Sequence, residues 1–389
     1  ITGLGVVSAA GADVPASWRA LERALRPATI PCPFGPFPRP VPLFAAAGDE
    51  SEAERAAPDR TFRLARRAAA EALADAGLER LPSSFRLGVC LGTTVACQLN
   101  DIAFYAAYRA SGNPPLAAAD RFAAGSLSER LARVLRADGP VLTVVNACTS
   151  GTDAAGVALE WLRADLCDAV LAGGADELSA IPVSGFFALG LTSPEPCRPF
   201  DRDRQGLTLG EGAGIAVLER EESALRRGRP VALLAAGFGS AADGHHLTAP
   251  HPEGRGLECA IRGALADAGI DPDAVDFVNA HGTATPDNDR IEGAVLARLF
   301  GEGVRVASTK GYTGHALGAA GGIETVFTAL ALRHGRVPAN AGFATRDPAI
   351  PFAPLTATTP VSRPYALSTA LAFGGNNAAL VLARAGETP

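Results

Sequence analysis

The feature that most constrains this 389-residue chain is an internal echo. Ala72-Leu73-Ala74-Asp75-Ala76-Gly77-Leu78 returns as Ala264-Leu265-Ala266-Asp267-Ala268-Gly269-Ile270. Each copy closes a helix-period segment, with Gly as the stop signal, ahead of an apolar strand. A second echo joins Val145-Asn146-Ala147-Cys148 to Val278-Asn279-Ala280-His281. The pairs run in the same order, which is the mark of a duplicated chain. We therefore expect an α/β protein of two βαβ-rich halves, 1–228 and 229–389, with Cys148 and His281 in equivalent positions. Ligands gather at the C-terminal ends of strands in open α/β sheets, so two packed halves bring their strand-end loops to one pocket.

Hydrophobic periodicity places further strands at 1–8, 87–94, 141–145, 168–174, 215–219, 231–236 and 304–308, and helices at 15–25, 61–78, 116–136 and 290–300. The 27–42 stretch holds seven prolines and is read as an extended surface loop. Residues 95–112 are read as irregular, and Gly185-Phe186-Phe187 as part of a loop. Gly3-x-Gly5 is only a fragment of a dinucleotide fingerprint, because Ser8 stands where the third Gly belongs. Residues 314–322 make no nucleotide site either, since no acidic residue ends the next strand.

The net charge of −6 argues against nucleic acid or an anionic membrane surface as partner. No uncharged apolar run is long enough to span a bilayer; 316–332 comes nearest and Glu324 interrupts it. We expect no signal peptide. Seven scattered cysteines without a CxxC pair indicate neither a disulfide framework nor a zinc site, and fit a reducing cytoplasm. His245, His246 and His251 sit in a Gly/Pro-rich loop without a Cys or carboxylate in ligand register, so we read a polar loop at a site entrance, not a metal site.

Chemistry concentrates at three places. Cys148 lies where the 141–145 strand becomes a helix, and helix N-terminal dipoles favour thiolate over thiol. The alternative is a small Cys filling a tight turn. Lys310 is the only lysine among 35 basic side chains, so it should do something that a planar guanidinium cannot. His281-Gly282-Thr283 and Gly314-His315 set imidazoles where backbone must pass closely. A nucleophilic Cys with two histidines suits acyl transfer, and Gly374-Gly375 could present a backbone N–H to an oxyanion.

These residues lie within a longer series: Asn146-Ala147-Cys148-Thr149-Ser150-Gly151, Arg198-Pro199-Phe200-Asp201, Gly210-Glu211-Gly212-Ala213-Gly214, Asn279-Ala280-His281-Gly282-Thr283-Ala284-Thr285-Pro286, Ser308-Thr309-Lys310-Gly311, Gly314-His315-Ala316-Leu317-Gly318 and Phe373-Gly374-Gly375. In that order they resemble the β-ketoacyl-acyl-carrier-protein synthases, condensing enzymes of the thiolase superfamily, in their type II elongating branch. The resemblance implies a duplicated thiolase-like fold in five layers, α-β-α-β-α. It implies a decarboxylative Claisen condensation: Cys148 carries the acyl chain, and His281 and His315 bind the thioester carbonyl of malonyl-carrier protein. Lys310 would orient His315. Backbone N–H groups of Cys148 and Phe373 would form the oxyanion hole, with the Phe373 ring as gate. Thr283 and Thr285 would contact the pantetheine arm, and Asp289 and Glu292 would support His281. No metal or bound cofactor is implied beyond the phosphopantetheine of the acyl-carrier protein. The implied assembly is a homodimer, or a heterodimer with a chain-length factor.

Two histidines set the chain apart from the branch that primes with acyl-CoA. A thiolase would need a second, C-terminal Cys, and the last here is Cys259. Intact Cys148, His281 and His315 argue against a non-catalytic partner subunit. Residues 111–122 lack a Lys-x-Ser-Pro-Phe pattern, Asn376 stands where Thr is usual, and Ala372 replaces a common Gly. Fatty-acid and polyketide or polyene pathways both stay open.

Overall fold

A computed structural model describes residues 1–48, 51, 57–82, 85–94 and 102–386. Ten strands build two five-stranded sheets, and we number only these. The first sheet comprises β1 (Gly3–Val7), β2 (Leu87–Gly92), β3 (Val141–Val144), β4 (Ala169–Asp176) and β5 (Gly212–Glu219), in the order β1-β5-β4-β2-β3. The second comprises β6 (Leu233–Ala242), β7 (Val275–Asn279), β8 (Val306–Ala307), β9 (Tyr365–Leu371) and β10 (Asn376–Arg384), in the order β6-β10-β9-β7-β8. The orders match strand for strand. So do the directions: β5 and β10 run antiparallel to both neighbours, and the other pairings are parallel.

Six helices complete the layers: α1 (Arg60–Ala76), α2 (Leu127–Leu135), α3 (Ser150–Arg163), α4 (Arg255–Ala268), α5 (Pro286–Phe300) and α6 (Ala320–His334). Helices α3 and α6 lie between the sheets, with α1 and α2 outside the first and α4 and α5 outside the second, giving the five-layer thiolase-like arrangement. The central helix α6 is buried on every side from Ala320 to Leu332. The apolar run around Glu324 is therefore a core helix. Among the described residues no helix is long and apolar enough to cross a membrane.

The first echo is reproduced atom for atom in the packing. Gly77 and Gly269 cap α1 and α4 in the left-handed region, at φ 67° and 68°. A Cβ on Gly3 or Gly5 of β1 would lie 2.0 or 1.9 Å from the Ala72 or Ala68 carbonyl oxygen of α1. On Gly237 or Gly239 of β6 it would lie 2.4 or 2.1 Å from that of Ala264 or Ala260 in α4. Strand and helix touch backbone to backbone in both halves, which explains the Gly3-x-Gly5 spacing without a nucleotide.

The second echo does not survive. Cys148 follows edge strand β3, whereas His281 follows β7, whose counterpart is β2. The place equivalent to Cys148 is reached through β8. Ala147 (φ 49°) opens a 3-10 turn, Ala147–Thr149, before α3, and Leu317 (φ 52°) opens another, Leu317–Ala319, before α6. Gly318 is thus the counterpart of Cys148. A four-letter match at two strand ends had joined non-equivalent strands.

Other differences are local. Part of the proline-rich stretch is sheet: Ile30–Pro31 pairs with Pro42–Phe44, which pairs with Leu209–Gly210. Helices occupy Ile102–Ser111 and Ala180–Ala188, where irregular chain was expected, and 116–136 divides into Ala117–Ala123 and α2. Residues 95–101 lie outside the described residues.

Candidate active site

The turns before α3 and α6 meet where the two central helices cross. A Cβ on Gly151 would lie 2.6 Å from Gly322 N, and one on Gly321 would lie 2.6 Å from Thr152 N, so only glycine allows this approach. The Cys148 turn is held from within: Asn146 N–H donates to Ser150 Oγ (2.8 Å), Ser150 Oγ–H to the Ala147 carbonyl (2.6 Å), and Thr149 Oγ1–H and Asn146 Nδ2–H to Asp153 (2.7 and 2.6 Å).

Against this turn stand both histidines. His315 Nε2 is 3.0 Å from Cys148 Sγ, and the His281 ring stands perpendicular to His315 at 5.2 Å. The His315 backbone is clamped to the first half, its N–H donating to Thr208 O (2.7 Å) and its carbonyl accepting from Gly210 N–H (3.0 Å). The Phe373 N–H reaches the Cys148 sulfur. The Phe373 ring lies 5.2 Å from Phe186, which in turn faces His315 at 6.5 Å, and Val183, Leu191, Leu207, Leu209 and Leu317 extend this apolar cluster.

The acidic residues sit behind His281. Glu292 accepts from the N–H of His281 (2.8 Å) and Gly282 (2.9 Å) and from Thr369 Oγ1–H (2.7 Å). Asp289 accepts from Phe200 N–H (2.7 Å) and Ala284 N–H (3.1 Å). Both carboxylates hold backbone, and so fix the loop that carries the imidazole. Thr283 and Thr285 lie on that loop with their hydroxyls 2.9 Å apart.

Two expectations need correction. Lys310 serves His281, not His315: its Nζ is 3.2 Å from His281 Nδ1 and pairs with Glu324. That places an ammonium donor on Nδ1, so the His281 ring proton sits on Nε2. Cys148 is also no ready thiolate. Burial pushes its thiol up to about 12 against the opposing pull of Lys310 and the Phe373 N–H. The helix terminus begins two residues later, and desolvation outweighs its dipole. Burial, reinforced by Lys310, likewise holds both imidazoles well below 6.5. Burial thus opposes charge on both the thiol and the imidazoles.

Two buried carboxylates at the site were not singled out from the sequence. Glu324 looked like a break in an apolar run, but it is the counter-ion of the only lysine, and burial raises it to about 7. Asp176 ends β4. The signal for Glu324 was present: a lone acid in a run of apolar residues needs a buried cation. Among the described residues no group of three or more His, Cys, Asp or Glu could hold a metal. His246 Nδ1 instead accepts the N–H groups of Thr248 and Ala249, both at 3.1 Å.

Residues 18–224 match the beta-ketoacyl synthase N-terminal domain, and 233–344 match the C-terminal domain. The chain belongs to the beta-ketoacyl synthase family. This synthase is 37% identical to a Streptomyces violaceoruber protein named as granaticin polyketide beta-ketoacyl synthase 1, over 100% of this chain and 98% of that one. It is 34% identical to 3-oxoacyl-[acyl-carrier-protein] synthase 2 of Staphylococcus aureus strain COL, over 98% and 97%. Among solved structures, the ishigamide ketosynthase/chain length factor superposes with a TM-score of 0.91 at 32% identity, covering 99% of this chain and 98% of that one. The synthase is an acyltransferase of the condensing type.

Proposed function

We propose that the synthase extends an acyl chain held on Cys148 by decarboxylative condensation with malonyl-acyl-carrier protein, releasing a β-ketoacyl-carrier protein. The observation that carries this reading is the contact of His315 Nε2 with the Cys148 thiol, beside a His281 whose tautomer Lys310 sets. In the loading step Sγ attacks the acyl thioester, the carrier thiolate leaves, and the thiol proton passes by way of His315 to the departing sulfur. The N–H groups of Cys148 and Phe373 receive the oxyanion. The Nδ1 of His315 is buried without a partner among the described residues, which leaves this ring free to change tautomer. With a proton on each Nε2, His281 and His315 donate to the malonyl thioester carbonyl. Loss of CO2 then leaves an enolate whose carbon forms the new bond to the acyl carbonyl as the C–S bond to Cys148 breaks, and the freed thiolate takes up a solvent proton by way of His315. Thr283 and Thr285 contact the pantetheine arm, and Asp289 and Glu292 hold the His281 loop. The arm is the only prosthetic group required, and the reaction takes place in the cytoplasm.

The assembly follows from a surface that a monomer leaves bare. Edge strand β3 exposes Leu142, Val145 just past its end is exposed too, and helices Ile102–Ser111 and Ala117–Ala123 bury no residue while exposing Tyr105, Tyr108 and Phe122. A second chain of the same fold covers this face, edge to edge. Solved relatives in which a ketosynthase is paired with a chain length factor favour a second reading of pathway and partner: the ketosynthase subunit of a dissociated polyketide or polyene system. The molar mass of the pure chain in solution, alone and with a co-expressed chain-length factor, separates homodimer from heterodimer. The chemistry is tested with Cys148→Gln, which imitates the acylated state. It should decarboxylate malonyl-carrier protein as well as the wild type or better while condensing nothing; retained condensation would overturn the assignment.

A further inference from the structure

Asp176 ends β4 inside the protein, fully buried, and none of the roles above uses it. Its Oδ1 accepts from Thr93 Oγ1–H (2.7 Å), and its Oδ2 from Thr94 N–H (2.9 Å), Thr94 Oγ1–H (2.9 Å) and Gly318 N–H (2.8 Å). Thr93 and Thr94 belong to the first half, just past β2. Gly318 belongs to the second, three residues beyond His315, in the turn that matches the Cys148 turn. A Cβ at 318 would lie 2.6 Å from the Thr93 carbonyl carbon and 2.9 Å from Asp176 Oδ2, so the contact has no slack.

Duplication explains why an acid sits there. A 3-10 turn leading into a helix presents N–H groups that bind negative charge. In the first half the N–H of Cys148 is the proposed oxyanion donor. In the second the corresponding N–H, that of Gly318, already holds an internal carboxylate. We propose that Asp176 is a positioning residue: by occupying the second half's anion-binding turn it pins the His315 segment to the first half and so sets His315 opposite Cys148. The proposal rests on the reading of the synthase as a condensing enzyme.

The test uses the full chain with acyl- and malonyl-carrier proteins. In D176A, acyl loading of Cys148 and kcat for malonyl decarboxylation should both fall at least about tenfold with KM unchanged, because His315 serves both steps. G318A, which crowds the same contact from the other side, should show the same paired loss. D176N keeps an acceptor for Gly318 and should lose less than D176A in both steps. Loading or decarboxylation left unchanged in D176A, or a loss carried by KM alone, would overturn the positioning role. If the wild type itself fails to decarboxylate malonyl-carrier protein, the functional reading fails, while the loading comparison still reports on Asp176.

Discussion

The turn at Cys148 and the turn at Gly318 have the same backbone and opposite tasks. Both begin with a non-glycine residue at positive φ, both tighten into 3-10 geometry, and both feed a central helix. The first carries a side chain that reacts; the second has none, and its N–H is taken by Asp176. The second half supplies instead what surrounds the nucleophile: His281, Lys310, His315 and Glu324. A duplicated fold has thus been divided into a half that is acylated and a half that handles charge.

The largest effect should come from removing the difference itself. Cys148→Ala makes the first turn as inert as the second, and condensation should fall to background, measured as β-ketoacyl product per enzyme. Next in size is the charge-handling half. Lys310→Ala leaves Glu324 buried without its cation, at a cost of about 3–5 kcal/mol in denaturant unfolding, along with loss of decarboxylation. Lys310→Arg should not rescue the activity, since a planar fork cannot stand in for an ammonium between His281 and Glu324.

The pH dependence should follow the second half as well. His281 and His315 have folded-state values below 6.5, so the unfolded chain binds protons more readily, and their contribution to stability is lost as pH falls below 6.5. Glu324, raised to about 7, acts in the opposite sense: its contribution is present at low pH and is lost as pH rises through 7. His281→Gln should therefore lose less stability than the wild type between pH 6.5 and 5, by up to about 1.4 kcal/mol per pH unit where the difference in protonation is complete. An identical slope would remove the imidazole from the account.

The smallest effect sharpens the comparison of backbones. Ala147→Gly relieves positive φ at a half-buried site and should change stability by about 1 kcal/mol or less in the favourable direction. Leu317→Gly relieves the same strain but empties a buried side chain from the Phe186–Phe373 cluster, and should cost about 2–4 kcal/mol. Thermal unfolding of both variants measures the difference.

Much of this division was legible in the letters. The Gly-terminated echo fixed the outer helices because it marks a backbone contact, Gly3 and Gly5 on α1 against Gly237 and Gly239 on α4, that no larger residue permits. The Val-Asn-Ala echo misled because a strand-end sequence does not say which strand it ends; equivalence came from sheet order. Helix Ile102–Ser111 was missed because it has no buried face to impose a period, and Ala180–Ala188 because Gly185 and two phenylalanines read as a loop. Lys310 stood out by its rarity, yet its partner could not be read, since the His281 and His315 rings lie only 5.2 Å apart in space.

The most direct test is intact-protein mass spectrometry of the purified synthase after incubation with acyl-carrier proteins of graded chain length, followed by malonyl-carrier protein. The account predicts an acyl mass gain on Cys148 that disappears when malonyl-carrier protein is added, with a product two carbons longer. A gain on another residue, or an adduct on Cys148 that malonyl-carrier protein does not discharge, would contradict it.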